Sequence, residues 1–480
     1  MDRVSRFLIV GGGASGTLLA TQLLRQTRTP IELLLADPEQ VGRGVAYGTP
    51  YLEHRLNVTA GRMSALPDDA DHFVRWLGAR GEAAEPTRYV PRATYGEYLR
   101  ATLVEAVAAA GPGIRFRWLW DEVTAVRVYE DGARVELRAG GTVSADRVAL
   151  ALGEGPGKGP HPELATEPRY LPNPWARGAV ESIGPSEKVL VLGTGLTMVD
   201  VALALRQRGH TGGILAISRH GLLPRVHGAS RPVAFPARDG QTLRAWVRYL
   251  RRRVAERPED WRSVVDGLRP ITAAVWTRLS RADRARFLRH LRAIWDVHRH
   301  RMAPGIGEAV AEMQTRGLLG ATAARLVDAG PRGDGFDVVL RPRGGEGERR
   351  LRVGWIVNAT GSEVDPGRSD SPLLRQLLRD GLVRVDELGL GLDATAEGAV
   401  VGAWREPSSI LFTLGPLLRG RLWETTAIPE IRIQAQRLAA RWLDDAEAVE
   451  SATVRAHATL TGGHEPPPSL QEEDLGAHLR

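Results

Sequence analysis

The chain has 480 residues, no cysteine, and a net charge of +7 from 64 Lys and Arg against 57 Asp and Glu. The length predicts two or three domains. The missing cysteines exclude disulfides, thiolate metal ligands, thiol nucleophiles and electron transfer through a cysteine pair. No apolar run is long enough to span a bilayer, and an apolar strand starts within a few residues of Met1, so neither a membrane span nor a signal peptide is expected, and the location expected by default is cytoplasmic. The basic balance comes without a zinc-finger, RNA-binding or basic-zipper pattern. It therefore reads as a solvated arginine-rich surface, and no nucleic-acid partner is expected.

Phe7-Leu8-Ile9-Val10 reads as a buried strand, 11–16 as a turn and 17–24 as a helix. Gly11, Gly13 and Gly16 have the G-x-G-x-x-G spacing. The first glycine serves the tight turn, the second lets backbone approach a pyrophosphate, and the third lets the helix pack on the strand. Ala14 and Ser15 sit at the helix N-terminus, whose N–H groups face an anion. A second strand, 31–36, ends at Asp37, an acid placed to bond a ribose hydroxyl. These six residues are the predicted contacts of a first dinucleotide.

Residues 42–48 form a Gly-rich loop. Asn57, between apolar neighbours, faces either a cofactor or solvent. Residues 68–77 and 95–110 read as helices capped by Asp68 and Thr94. Arg92, ahead of the second, is a candidate phosphate or flavin contact, with a plain surface arginine as the alternative. Residues 115–120, 123–129 and 133–138 alternate like antiparallel strands, with a turn at Asp131-Gly132. Residues 148–152 form a buried strand that returns to the first sheet and brings Gly153 beside the dinucleotide.

A second strand–turn unit follows at 188–198, where Met198 takes the third glycine position. The matching strand, 214–217, ends in Ser218-Arg219-His220 and not in an acid. An arginine in place of the acid is the signature of a 2′-phosphate, so Gly193, Gly195 and Arg219 predict NADPH. Residues 241–301 show helical spacing only, with their tryptophans as core. This insertion ends in His298-Arg299-His300-Arg301, which reads either as a solvated basic helix end or as a lining for a substrate carboxylate. Residues 355–361 form another strand, ending in Ala-Thr-Gly; it mirrors the segment ending at Gly153 and adds Gly361 to the cofactor contacts. Gly415 begins a Gly-rich turn that opens a last helix, 425–443, and aims N–H groups at an anion or flavin. Residues 461–480 have the composition of a disordered tail.

The expected fold is α/β, with two Rossmann-like dinucleotide-binding domains, a small antiparallel β-meander and an inserted α-helical segment. The expected boundaries are 1–180 with 350–445 for a split FAD-binding domain, and 185–349 for an NAD(P)H-binding domain with its insertion at 241–301.

Several stretches together resemble one bacterial family of two-dinucleotide-binding-domain flavoproteins, the FAD-NAD(P)-binding family. They are Gly42-Arg43-Gly44-Val45-Ala46-Tyr47, Leu56-Asn57-Val58, Tyr89-Val90-Pro91-Arg92, the run from Gly193 to Asp200, the run from Trp295 to Arg301, and Trp423-Glu424-Thr425-Thr426-Ala427. The resemblance implies FAD on the N- and C-terminal segments and NAD(P)H on the middle one. Some members are N-monooxygenases that oxidise the amino group of aspartate to a nitroso or nitro group. The expected function is an FAD-dependent, NADPH-using oxidoreductase, a monooxygenase hydroxylating a small amine or amino acid, an acidic one in particular, through a flavin hydroperoxide. The alternative is an NADPH-dependent flavin reductase or dehydrogenase without oxygen transfer. No nucleophile, triad or metal-ligand cluster stands out, so no catalytic residue and no metal is assigned.

Overall fold

The computed structural model describes residues 4–39, 41–235, 241–345 and 347–461. The expected tail, apart from its first residue, lies outside the described residues. Ser5–Val10 (β1), Ala14–Gln26 (α1) and Ile31–Ala36 (β2) open the chain. β2 is buried at every position because both faces are covered: Leu33 and Leu35 join one core with α1, and Leu34 and Ala36 join another beneath the small antiparallel sheet. A strand covered on both faces reads as an unbroken apolar run.

Gly44–Tyr47 (α2), His72–Ala79 (α3) and Arg92–Ala108 (α4) come next. Neither long helix is capped as expected. α3 starts four residues after Asp68, which pairs with Arg25 at 2.8 Å, and α4 starts before Thr94, directly behind Pro91. Arg115–Leu119 (β3) follows, then Val123–Tyr129 (β4), Gly132–Leu137 (β5), Thr142–Ala145 (β6) and Arg147–Leu150 (β7). The meander is β4-β5-β6. β3 does not belong to it: it pairs parallel to β2, Glu32 opposite Arg115 through Ala36 opposite Leu119. Its alternation reports a half-exposed sheet edge, a property that parallel and antiparallel edge strands share.

The second unit contains Tyr170–Leu171 (β8), Val189–Leu192 (β9), Leu196–Gln207 (α5) and Ile214–Ser218 (β10). The insertion is helical as expected: Leu243–Glu256 (α6), Trp261–Leu268 (α7), Thr272–Arg278 (α8), Arg281–His290 (α9) and Arg292–Arg299 (α10). Pro304–Thr315 (α11), Leu319–Arg332 (β11), Gly335–Pro342 (β12), Arg349–Val353 (β13) and Trp355–Asn358 (β14) complete it. The chain then returns to the first unit with Pro372–Arg379 (α12), Ala399–Val401 (β15), Pro407–Thr413 (β16) and Ile428–Thr461 (α13).

The first sheet has the order β15-β16-β7-β1-β2-β3, and the second β13-β12-β11-β10-β9-β14-β8. Read outward from β1 and from β9, each sheet has the doubly wound order, and the order reverses beside β1 and beside β9. The expected domain boundaries shift accordingly. β8, within 1–180, and β14, within 350–445, pair in the second sheet, as does β13, which straddles the expected boundary at 349/350. The last helix also starts later than expected, at Ile428, because Gly415 opens a short 3₁₀ turn, Gly415–Leu418. α13 returns the C-terminal segment to the first core, where Trp442 packs on Phe7 and Phe412 with ring centroids 5.2 and 5.4 Å away.

Candidate functional site

Each glycine turn sits where its sheet reverses order. Gly11 has φ +103°, and a Cβ there would lie 2.5 Å from the Ala151 carbonyl oxygen just past β7. Gly193 repeats this in the second sheet, with φ +119° and the Ala359 carbonyl just past β14 in the same place. No L side chain is tolerated at either position. The residues facing outward are different. Gly195, Gly153 and Gly361 have no atom within 4 Å of a would-be Cβ, and Gly13 has only the Gly44 Cα at 3.8 Å. Gly16 is closed by the Gly11 carbonyl, so α1 packs directly on its strand. Gly13 and Gly195 are the N-caps of α1 and α5, and neither helix has a side-chain cap or an acid in its first turn. Both N-termini leave their N–H groups and partial positive charge to whatever enters.

Two adjoining pockets open on these turns. One, of about 390 Å³, is lined by Gly11, Asp37, Gly153 and Lys158 among others. Asp37 already accepts N–H bonds from Gly12 at 2.5 Å and from Glu39 at 2.7 Å, and burial raises its pKa. It braces the turn as well as facing the pocket. Gly415 brings the C-terminal segment here. A Cβ on it would strike the Ser15 hydroxyl, and its N–H donates to Gln434 Oε1 at 2.8 Å while its carbonyl accepts from Thr425 at 3.1 Å. That N–H is therefore engaged within the protein, which removes it from the donors expected to face a flavin or an anion.

The larger pocket, about 820 Å³, lies over Gly193, Gly195 and Gly361. At one end are Arg219, His220 and Arg325, with Arg343 bonded to His220. Arg219 is exposed there, as the sequence predicts for the end of β10. The opposite wall is α10, which presents Arg292, Asp296 and His300, together with the Arg419–Glu154 ion pair at 2.9 Å. Burial and the neighbouring Arg299 push His300 down to about 4, so its ring is neutral near pH 7 although 37% of the side chain is open to the cleft.

The basic run at the end of α10 is neither a solvated helix end nor a free carboxylate fork. Arg299 is buried against Glu424 at 2.8 Å, and Arg301, 3% exposed, is paired with Asp266. Both arginines pin α10, one to the C-terminal segment and one to α7. Arg92 is likewise committed. Its guanidinium meets Asp200 on α5 at 2.9 Å and the Arg55 carbonyl at 3.2 Å, so it joins the two units. His54 supports the same joint, with Nε2–H donating to the Asp200 carbonyl at 2.8 Å and Nδ1 accepting from Thr49 at 2.6 Å. Asn57 supplies its backbone carbonyl to His227 Nε2–H at 2.9 Å. Sequence reasoning singled out Arg419 only as a fallback neighbour of the pocket, with Arg43 and Tyr47, and assigned no role to Glu154, Arg292 or Asp296. The i, i+4 spacing of Arg292, Asp296 and His300 was the available signal. Among the described residues no cluster of His, Asp and Glu is placed to hold a metal ion, and no helix is long and apolar enough to cross a membrane.

Residues 8–155 match the family model described as FAD-NAD(P)-binding. The L-aspartate N-monooxygenase (nitrosuccinate-forming) of Streptomyces davaonensis is 27% identical over 286 residues, 48% of this chain and 44% of that protein. The match thus spans less than half of that curated relative's length. Among solved structures, the ornithine N-hydroxylase of Kutzneria sp. 744 superposes with a TM-score of 0.65 at 15% identity, covering 93% of this chain and 100% of that chain. The cadaverine monooxygenase of Erwinia amylovora gives 0.64 at 14% identity and covers 100% of both chains. At these identities the likeness to the solved structures is one of fold. In its motifs the chain resembles the FAD-NAD(P)-binding family, whose model matches the segment that carries the first glycine turn.

Proposed function

We propose that this chain is an FAD-dependent, NADPH-using monooxygenase that oxidises the nitrogen of a small amine, with acidic amino acids as its substrate class. The observation that supports this most strongly is the pair of glycine cradles. Each is closed beneath by a backbone carbonyl and open above at an uncapped helix N-terminus, and the two pockets adjoin. A dinucleotide phosphate suits that arrangement, and a side chain at Gly11 or Gly193 does not. FAD would be held by Gly11, Gly13, Ala14, Ser15, Gly16 and Asp37, and NADPH by Gly193, Gly195 and Gly361. Arg219, His220 and Arg325 form a basic surround where a carboxylate would repel a 2′-phosphate.

Flavin supplies the hydride-accepting and oxygen-activating chemistry, and the protein supplies binding, orientation and exclusion of water. The N-termini of α1 and α5 oppose phosphate charge. The α10 wall, pinned by Glu424 and Asp266, bounds the cleft on one side. Arg292 is only loosely held by Asp296, at 3.4 Å, and faces the cleft beside Arg419. Its fork is the one offered to a substrate carboxylate. A neutral His300 adds no positive charge against the amine. The relative that acts on L-aspartate supports the same substrate class.

The test is turnover of NADPH with a panel of acidic and neutral amines, with product nitrogen analysed. Coupled formation of an oxidised-nitrogen product, fastest with acidic amines, is expected. NADPH oxidation that yields only hydrogen peroxide with every amine identifies a reductase instead.

A further inference from the structure

The helical insertion lines a third pocket, of about 320 Å³ and open to solvent on one side, that the proposed reaction does not use. Its lining is almost wholly apolar and includes Trp246, Trp261, Trp276, Trp295 and Trp423. α10 is the wall between the two spaces: Arg292, Asp296 and His300 face the cleft, while Leu291, Ile294 and His298 face the cavity. A molecule in the cavity therefore does not enter the cleft.

α6 contributes Leu243, Trp246, Val247, Leu250, Arg251 and Val254 to the lining, and of its residues only Trp246 is buried. Val247 and Leu250 stay half-exposed along the cavity, so the insertion does not collapse onto itself there. An apolar cavity of about 150 Å³ already holds a benzene ring, and this space takes a longer chain. The polar groups inside are satisfied locally. The Thr272 hydroxyl donates to the Leu268 carbonyl at 2.8 Å, and His298 Nδ1–H donates to the Ile294 carbonyl at 2.7 Å. A charged or polar tail would find no partner there.

The rim differs from the interior. Ile294 is 49% exposed at it, and the exposed Arg251 has no carboxylate partner among the described residues. Arg248 and Arg252 extend the basic face of α6 beside it.

We propose that this cavity is a binding site for an amphiphilic acid, with a medium-length aliphatic or aryl tail among the tryptophans and a carboxylate on Arg251. The tail gains by leaving water in proportion to the apolar area it buries. The guanidinium at the mouth selects an anionic head.

Decanoate is the probe, with decan-1-ol as its uncharged counterpart, added to the flavin-loaded full chain without amine or NADPH. Calorimetry and tryptophan fluorescence read binding without turnover, so this result is independent of the monooxygenase assay. One-to-one decanoate binding with a change in tryptophan emission is expected. Arg251→Ala should weaken decanoate about tenfold and leave decan-1-ol unchanged. Leu250→Trp and Val265→Phe, which fill the cavity from opposite sides, should each abolish binding of both while flavin content and melting temperature stay at the wild-type level. If one filling variant unfolds, the other carries the test. The absence of saturable decanoate binding, filling variants that bind as well as wild type, or equal losses of decanoate and decan-1-ol in Arg251→Ala would each overturn the proposal.

Discussion

Glu424→Ala should release α10 from the C-terminal segment at a cost of about 3–5 kcal/mol, the usual penalty for stranding one charge of a buried pair. The structure sets this scale. Glu424 and Arg299 are buried, 2.8 Å apart, with side chains only 7% and 10% exposed, and Trp295 Nε1–H donates to the same carboxylate at 3.3 Å. At an effective dielectric of about 20, the direct attraction at this distance is about 6 kcal/mol, most of it offset by desolvation. Removing the carboxylate leaves a guanidinium with no charge partner in a site that water barely reaches. Arg299→Ala should cost a similar amount, and the double variant clearly less than the sum, with a coupling of about 2–3 kcal/mol. The Trp276–Trp423 stack, centroids 4.8 Å apart, lies beside the pair, and its near-ultraviolet circular dichroism is expected to report local release. Guanidinium titrations followed at that band yield the cycle. Costs below about 1 kcal/mol, as for exposed ion pairs, together with additive effects would refute the claim that a buried pair pins the cleft wall.

Gly11→Ala, at φ +103° and against the Ala151 carbonyl, should abolish flavin content, read from the visible spectrum of the purified protein; full occupancy would contradict the cradle. Arg219→Ala should raise the KM for NADPH roughly ten- to hundred-fold and leave NADH nearly unchanged, since a charge-assisted bond contributes about 1.5–3 kcal/mol. Asp200→Asn should weaken the joint with Arg92 and lower the melting temperature, whereas Thr94→Ala, at a position that caps nothing, should leave it unchanged. Burial, with Arg301 nearby, pushes His227 down to about 4 from 6.5. Between those values the unfolded chain binds a proton that the folded chain does not. Stability is therefore full above about pH 6.5 and falls by up to about 3 kcal/mol as pH drops towards 4. His227→Gln keeps a donor for the Asn57 carbonyl and should flatten that acid loss; an unchanged pH profile of stability would refute the assignment.

What was legible in the sequence is what neighbouring residues decide. Gly11, Gly13 and Gly16 identify a turn because the chain on either side imposes its geometry, and the same holds for Gly193 and Gly195. The helical insertion was legible from periodicity. The β3 edge was not, because alternation records exposure and says nothing about pairing direction. The domain boundaries failed at β8 and β14, whose membership is settled by pairing across the chain: β14 lies beside β9, and β8 beside β14. Arg299 and Arg301 were open to two readings because Glu424 and Asp266 sit on other elements, and no spacing rule links them. Arg92 and Asp200 both fall in the stretches that carry the family resemblance, but their pairing exists only once the two units meet. The insertion's tryptophans read as core, and Trp246 and Trp276 are indeed buried, whereas Trp261 and Trp295 are only partly so; all four also line the apolar pocket together with Trp423.

The most direct test of the account is turnover under isotopically heavy dioxygen with NADPH and an acidic amino acid, with the product examined by mass spectrometry. The account predicts heavy oxygen on the product nitrogen, with NADPH consumed in step with product. Brisk NADPH oxidation with the amino acid recovered intact and the label found only in peroxide or water would contradict it.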